Sequence, residues 1–293
     1  MRVVTYNIQF SRGRDGVTDL RRIADTVREA DIIGLQEVER FWQRSGEADQ
    51  PAELMALLPT YHAVFGCYYD VDASSVAPDG TVANRRRQFG NMLLSRWPIQ
   101  WVRQHPLPKT HYHDAFNMHQ GALEAVIVPE GHAPVRVIVL HLAYISMEKG
   151  DAERCAQLDH VLEVLNRREH EGAAWSGPND IAGDDWSQGL SAPDNPASAL
   201  IMGDFNMVPG SAPYVRMITA QAGDHTIVDS WKAAGYRARD GFTYPLDEAR
   251  YGRPGIKLDY IFLTDDLAQG VERAWIDNDA PGSDHQPYWI EIA

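Results

Sequence analysis

Apolar, β-branched runs in this chain repeatedly stop at an acid, an amide or an imidazole. Asn7 ends "VVTYN", Glu37 follows "IIGLQ" and His141 ends "VRVIVLH". Asp204 and Asn206 close "ALIMGDFN", Asp259 adjoins "YIFLT", and Asp284 and His285 stand just before "QPYWIEI". Each alone has an ordinary reading: Asn7 as a turn residue, Glu37 as a solvated strand end, Asp204 as an Asx turn. As a set they mean more, because strand ends on a packed scaffold hold polar groups rigidly at a rim. No Ser or Cys sits in a sharp elbow motif, and there is neither a glycine-rich phosphate cradle nor an HExxH pair. Hard oxygen donors are present in Glu37, Asp284 and Asn7, and a site with few carboxylates suits Mg²⁺ or Mn²⁺. Asp204 and Asn206 can hold a water in line. His285 can carry or receive a proton, with Asp259 fixing its tautomer. This inventory points to attack by water at phosphorus, where charge on the non-bridging oxygens must be neutralised.

The elements that must position these groups can be read from periodicity. "RVVTYNI" alternates as an opening strand, "TDLRRIADTVREA" carries a helical stripe of Leu20, Ile23, Ala24 and Val27 behind a Thr18 N-cap, and "DIIGLQEV" is a second strand. "PAELMALLP" is a short helix, "YHAVFGCYY" a strand, and "FGNMLLSRWPIQWV" two strands about Trp97-Pro98. "GALEAVIVPEGHAPVRVIVLHLA" is a hairpin, and a helix runs from about Lys149 to Glu169. "ASALIMGDFN", "IKLDYIFLT", "VERAWI" and "PYWIEI" are later strands, and "APYVRMITAQ" is a helical turn. Loops fill 70–88, 105–120 and 170–197; the last is long enough to suggest function. Hairpins mixed with a β-α-β unit favour a two-sheet sandwich with helices outside over a doubly wound parallel sheet.

"TYNI", "LQEV", "HL", "GDFN", "LDYIF" and "SDHQP" follow one another across nearly the whole chain. In this set the chain resembles the endonuclease/exonuclease/phosphatase superfamily, the metal-dependent phosphohydrolases related to DNase I; "FGNMLLSRWPI" and "ERCAQLDHVL" are similar to its connecting elements. The resemblance implies an α/β fold, a four-layer α-β-β-α sandwich of two mixed sheets, in a single catalytic domain over residues 1–293. It implies Glu37 as main metal ligand, with Asn7 placing metal and phosphate and Asp284 binding the metal or its waters. It implies His141 on a phosphoryl oxygen, Asp204 beside Asn206 on the attacking water, and Asp259 paired with His285. Whether His285 is general base or phosphate-binding cation stays open. A catalytically inactive binding module of the same fold is expected to lose Glu37, Asp204 or His285, and all three are present.

Formal net charge is −14, from 27 Lys and Arg against 41 acids. That argues against a broad electrostatic grip on nucleic acid and favours a small or exposed phosphodiester, with an endo- or exonuclease acting on DNA or RNA as the alternative. Substrate contacts are expected from the run Arg85, Arg86, Arg87, from Asn91 and Tyr144, and from Trp186 in the long loop. The segment "KTHYHDAFNMHQG", with His111, His113, His119, Tyr112 and Phe116, reads as a substrate-facing aromatic loop rather than a second metal site. No apolar run reaches the roughly 20 residues of a membrane span, and the N-terminus is too short and polar for a signal peptide. Two cysteines, Cys67 and Cys155, fit a reducing, cytoplasmic setting. The sequence points to no protein partner.

Overall fold

A computed structural model describes residues 1–175 and 193–293, together with a short strand pair at 180–181 and 184–185. The principal strands are β1 (Arg2–Asn7), β2 (Ile32–Arg40), β3 (His62–Asp72), β4 (Arg86–Ser95), β5 (Ile99–Pro106), β6 (Gly121–Ile127), β7 (Val135–His141), β8 (Ala199–Asp204), β9 (His225–Asp229), β10 (Asp259–Thr264), β11 (Val271–Ile276) and β12 (Tyr288–Ile292). One sheet runs β11-β12-β1-β2-β4-β3; the other runs β9-β10-β8-β7-β6-β5, with Gln221–Ala222 added at the β9 edge. Each sheet has one parallel pair, β1 with β2 and β7 with β8, and is otherwise antiparallel.

The strand sequences explain the layering. Strands buried on both faces read as continuous apolar runs rather than alternating ones, and β6, β7, β8 and β10 are buried along their whole length. Successive side chains still point to opposite faces. In β1, Val3 packs between the sheets with Ile32, Leu93, Met202 and Ile290, while Val4 packs outward with Ile23, Val27 and Trp289. In β8, Leu200 and Met202 face inward, and Ile201 faces outward with Leu158, Val161 and Phe262. Helices α1 (Leu20–Val27) and α2 (Gln50–Leu57) cover the first sheet, and α3 (Met147–Asn166) and α4 (Ala212–Ile218) the second. This is the four-layer α-β-β-α sandwich of mixed sheets.

Several boundaries differ from expectation. The N-cap of α1 is Asp19, whose side chain accepts from the Arg21 amide, not Thr18. The 70–88 segment is not a loop throughout: β3 and β4 extend into it, and Ser75–Val76 pairs with Val82–Ala83. Helix α3 ends at Asn166, and a separate short helix spans Arg168–Glu171. Trp186, assigned to the substrate, lies outside the described residues. Among the described residues no helix is long and apolar enough to cross a membrane.

Candidate active site

The second sheet aligns part of the polar set by register alone. Asp204 at the end of β8 stands opposite His141 at the end of β7 and opposite Asp259 at the start of β10. Parallel pairing on one side and antiparallel pairing on the other thus bring three side chains from distant segments to one edge. Their strands must lie close: a Cβ on Gly203 would come within 1.9 Å of the Leu140 carbonyl oxygen, so only glycine fits beside Asp204. Asn206 has a left-handed backbone, φ 47°, and its amide donates to the Leu142 carbonyl at 3.1 Å and to His141 Nε2 at 3.1 Å.

The first sheet delivers Asn7, Glu37 and the loop before β12. Glu37 falls in a bulge where β2 slips against β4 between Leu35 and Val38, with φ 62°. A bulge re-aims a side chain, and here it turns Glu37 toward the cleft between the sheets. Non-glycine residues with positive φ are uncommon, and such strain collects at functional sites. Of the seven among the described residues, Gln9, Glu37 and Asn206 belong to the candidate site. The Asn7 side-chain NH₂ donates to Glu37 Oε1 at 3.0 Å and, across the inter-sheet gap, to Asp204 Oδ2 at 2.9 Å. Its oxygen accepts from the Gln9 amide at 3.0 Å, which fixes the orientation of the side chain. Asn7 thus orients both carboxylates through its NH₂, and its oxygen, with one lone pair taken by the Gln9 amide, keeps a second lone pair. Asp204 is divided in the same way. Oδ1 closes an Asx turn with the Asn206 amide at 2.8 Å, and Oδ2 faces His141 Nε2 at 3.5 Å and His285 Nε2 at 3.7 Å. The Asx turn occupies one oxygen and leaves the other facing the two imidazoles.

Asp259 and His285 form the expected dyad, Oδ2 to Nδ1 at 2.8 Å, with Asp259 fully buried and His285 6% exposed. Burial opposes charge on the His285 ring, but Asp259 and Asp204 outweigh it and raise the pKa from 6.5 to about 10. Asp259 is itself pushed up by burial, against the pull of His285. One proton is held across the contact. Asp284 turns the other way, and its Oδ2 accepts from Gln9 Nε2 at 2.8 Å. Gln9 is the functional residue that strand-end reasoning missed. It lies two residues past Asn7 in a left-handed turn, and it ties Asp284 to the β1 end that carries Asn7.

The donor chemistry fits a hard divalent cation. Glu37 is half-buried with one carboxylate oxygen held by Asn7, and Asp284 is half-buried with one held by Gln9. Asp204, Asp259 and His285 add a buried cluster whose ligating atoms all lie within 4.8 Å of one another. Oxygen ligands from carboxylates, with space left for water, are what Mg²⁺ and Mn²⁺ take.

Other expected contacts separate from this site. Asn91 is buried and donates to the Gly121 carbonyl at 2.9 Å, bridging the sheets rather than facing the cleft. Arg86 pairs with Asp70 at 2.7 Å and Arg85 with Glu47 at 2.9 Å, while Arg87 is half-buried opposite Val71; none lines the cleft. Arg86 is neutralised by an acid of the paired strand, and Arg85 by Glu47 of the segment after β2. Tyr144, by contrast, stands at the cleft with Glu37 and His141. Of the 105–120 loop, Phe116 and Met118 also reach it. The His111 and His113 rings contact each other at 4.7 Å, and neither belongs to a metal-capable cluster among the described residues.

The family model for the endonuclease/exonuclease/phosphatase family matches residues 4–285. The chain is similar to the endonuclease/exonuclease/phosphatase from Beutenbergia cavernae at 24% identity and TM-score 0.64, over 99% of this chain and 70% of that one. It is similar to that from Bacteroides vulgatus at 20% identity and TM-score 0.66, over 100% and 98%. A 3′ phosphatase from Neisseria, solved with a product DNA hairpin, gives 14% identity and TM-score 0.60 over 100% and 99%. At these identities the solved structures share the fold. A search among curated proteins finds no relative.

Proposed function

Because the chain belongs to the endonuclease/exonuclease/phosphatase family, whose members hydrolyse phosphoesters, we propose that it is a divalent-metal-dependent phosphodiesterase acting on a small or exposed phosphodiester. The observation that carries the reading is the Asn7 bridge. One amide joins Glu37 of the first sheet to Asp204 of the second, so carboxylates from both sheets converge on one cleft.

Glu37 and Asp284 would hold Mg²⁺ or Mn²⁺. Such a cation supplies positive charge against the non-bridging phosphoryl oxygens. The chain's own groups do the rest. Asp204 Oδ2 orients the attacking water and accepts its proton, and Asn206 and Asn7 keep that carboxylate in place. His141 and His285 flank Asp204 and face the phosphoryl group, where His285 Nε2–H donates to an oxygen. Asp259 fixes the ring so that Nε2, not Nδ1, faces the reaction. The whole chain would act as one catalytic domain, with two unpaired cysteines in keeping with a cytoplasmic setting.

Charge favours a small substrate over duplex DNA. Of the dense run Arg85–Arg87, Arg85 and Arg86 are paired with acids and none of the three lines the cleft, whereas a protein that grips duplex needs cations spread over its contact face. The test is a panel of small diesters, monoesters, single strands and plasmid, with Mg²⁺ or Mn²⁺, at low and physiological salt. Turnover of small diesters with a shallow salt dependence supports the reading. Plasmid nicking with a steep salt slope and no turnover of small diesters refutes it in favour of a nuclease.

A further inference from the structure

Running from Glu37 and His141 is a cleft of about 490 Å³ whose remaining walls the hydrolytic step does not use. Its walls beyond Glu37 and His141 are rings, one thioether and one guanidinium: Trp42, Tyr69, Phe89, Phe116, Tyr144, Met118 and Arg44. Among the described residues no Leu, Ile or Val lines it. Trp42 and Tyr69 already stack nearly parallel, centroids 5.8 Å apart at 24°. Trp42 is fixed by its indole N–H, which donates to the Gln88 carbonyl at 2.9 Å.

Among the described residues a single cation lines this cleft, and it is arranged for stacking rather than for phosphate. The Arg44 guanidinium lies over Phe10, Trp42 and Phe89 at 4.2, 5.1 and 5.7 Å. Its Nε and Nη2 donate to Glu39 Oε2 at 3.0 and 2.6 Å. Glu39 is buried, so the charge of Arg44 is largely neutralised, its faces are taken up by protein rings, and Nη1, which meets no acceptor among the described residues, remains for a neutral polar ring.

The mouth is also built. Phe116 is 62% and Tyr144 42% exposed, unusual for large rings without a partner. The Tyr144 hydroxyl donates to the Phe116 carbonyl at 2.8 Å, clipping the 105–120 loop to the segment after β7. Two exposed rings are thereby held at the rim of a ring-lined cleft that ends at the hydrolytic groups.

We propose that this cleft seats a planar, nucleobase-like ring carried by the phosphoester, so that the substrate is a nucleoside phosphodiester. The inference rests on the hydrolytic reading for its phosphate end and on the cleft alone for its ring end. Flat rings stack on aromatic faces offset or edge-on, and base–aromatic stacking tolerates any base. The volume accommodates a ring with its sugar. An acyl chain is matched better by branched aliphatic walls, which are missing here.

The test measures binding of reaction products in chelator, so it does not depend on turnover. Quenching of tryptophan fluorescence and calorimetry would compare adenosine and thymidine monophosphates with glycerol 3-phosphate, inorganic phosphate and a long-chain acyl glycerol phosphate. The nucleotides should bind about tenfold or more tightly than glycerol 3-phosphate, the scale of one stacked ring. Phe116→Ala, a change at an exposed position, should reduce that preference severalfold. Trp42→Leu should abolish it, and Trp42→Phe should restore most of it. Equal affinity for nucleotides and glycerol 3-phosphate overturns the proposal, as does tighter binding of the acyl phosphate. Nucleotide preference in chelator with no diester turnover in Mg²⁺ or Mn²⁺ would keep this inference and refute the hydrolytic one.

Discussion

Replacing Asp259 by Asn keeps the shape of the dyad and removes its charge. His285 is then left buried, with Asp204 at 3.7 Å as its nearest acid. In the native site its pKa stands at about 10 against an ordinary 6.5. At about 1.4 kcal/mol per tenfold change in proton affinity, that is on the order of 5 kcal/mol of preference for the imidazolium. Asp259 lies at 2.8 Å and Asp204 at 3.7 Å, so Asp259 should carry the larger share, roughly 3 kcal/mol or about two pH units. Burial then acts with less opposition. The assay is NMR of the imidazole carbon-bound protons in metal-free protein, from about pH 5 to about pH 9. Wild-type His285 should not titrate below about pH 9, and in Asp259→Asn its midpoint should fall to about 8 or lower. A wild-type midpoint near the ordinary value, or one unmoved by the substitution, refutes the claim that Asp259 holds the charge.

Other outcomes follow from the same geometry. Glu37→Gln should lose calorimetric Mg²⁺ binding and hydrolysis while keeping its fold; wild-type metal affinity in that variant would remove Glu37 from the metal site. Because Asp259 acts through His285, the double variant Asp259→Asn with His285→Ala should be hardly slower than His285→Ala alone, and multiplicative losses in kcat would show separate roles. In metal-free protein the raised pKa of His285 gives stability that is full below about pH 6.5 and is lost as pH rises toward 10; urea titrations should show that loss, and His285→Gln should flatten it. Lys257 is buried among Trp231, Tyr260 and Tyr288, and burial, against the pull of Asp229 and Asp259, lowers its pKa to about 8. Lys257→Met should therefore raise the melting temperature near neutral pH, with a gain that shrinks as pH climbs past about 8, since deprotonation relieves the same cost; a pH-independent difference would refute this.

The sandwich was legible because strands buried on both faces leave long apolar runs, and the polar residues interrupting those runs are the site. β9 was not, since "HTIVD" is five residues of mixed polarity at the side of a sheet. The 75–83 pairing was hidden by turn-forming residues. Glu37 was legible as a polar strand-end residue but not as the residue of a bulge, because "LQEV" contains no Gly or Pro to mark a left-handed backbone. The arginine run misled because a charge triplet in sequence says nothing of the acids on the strand beside it, here Asp70 and the nearby Glu47. The aromatic cleft was legible only at its mouth, in Tyr144 and the 105–120 loop that carries Phe116. Trp42, Tyr69, Phe89 and Phe116 come from four separate segments, and no spacing rule joins them.

The pairing of β1 with β12 sets a timetable for the living chain. Val3 faces Ile290 in the sheet, and the Met1 amino group meets the Ile292 carbonyl at 2.6 Å. The loop that brings Asp284 and His285 to Asn7 is anchored by the same pairing, through the Ser283 hydroxyl on the Asn7 carbonyl at 2.7 Å. On a ribosome, β1 must wait with one edge open until nearly 290 residues have emerged. During that wait the growing polypeptide carries Glu37 and Asp204 but lacks the imidazole that completes them. If His285 acts as proposed, hydrolysis would await the closing of the last strand.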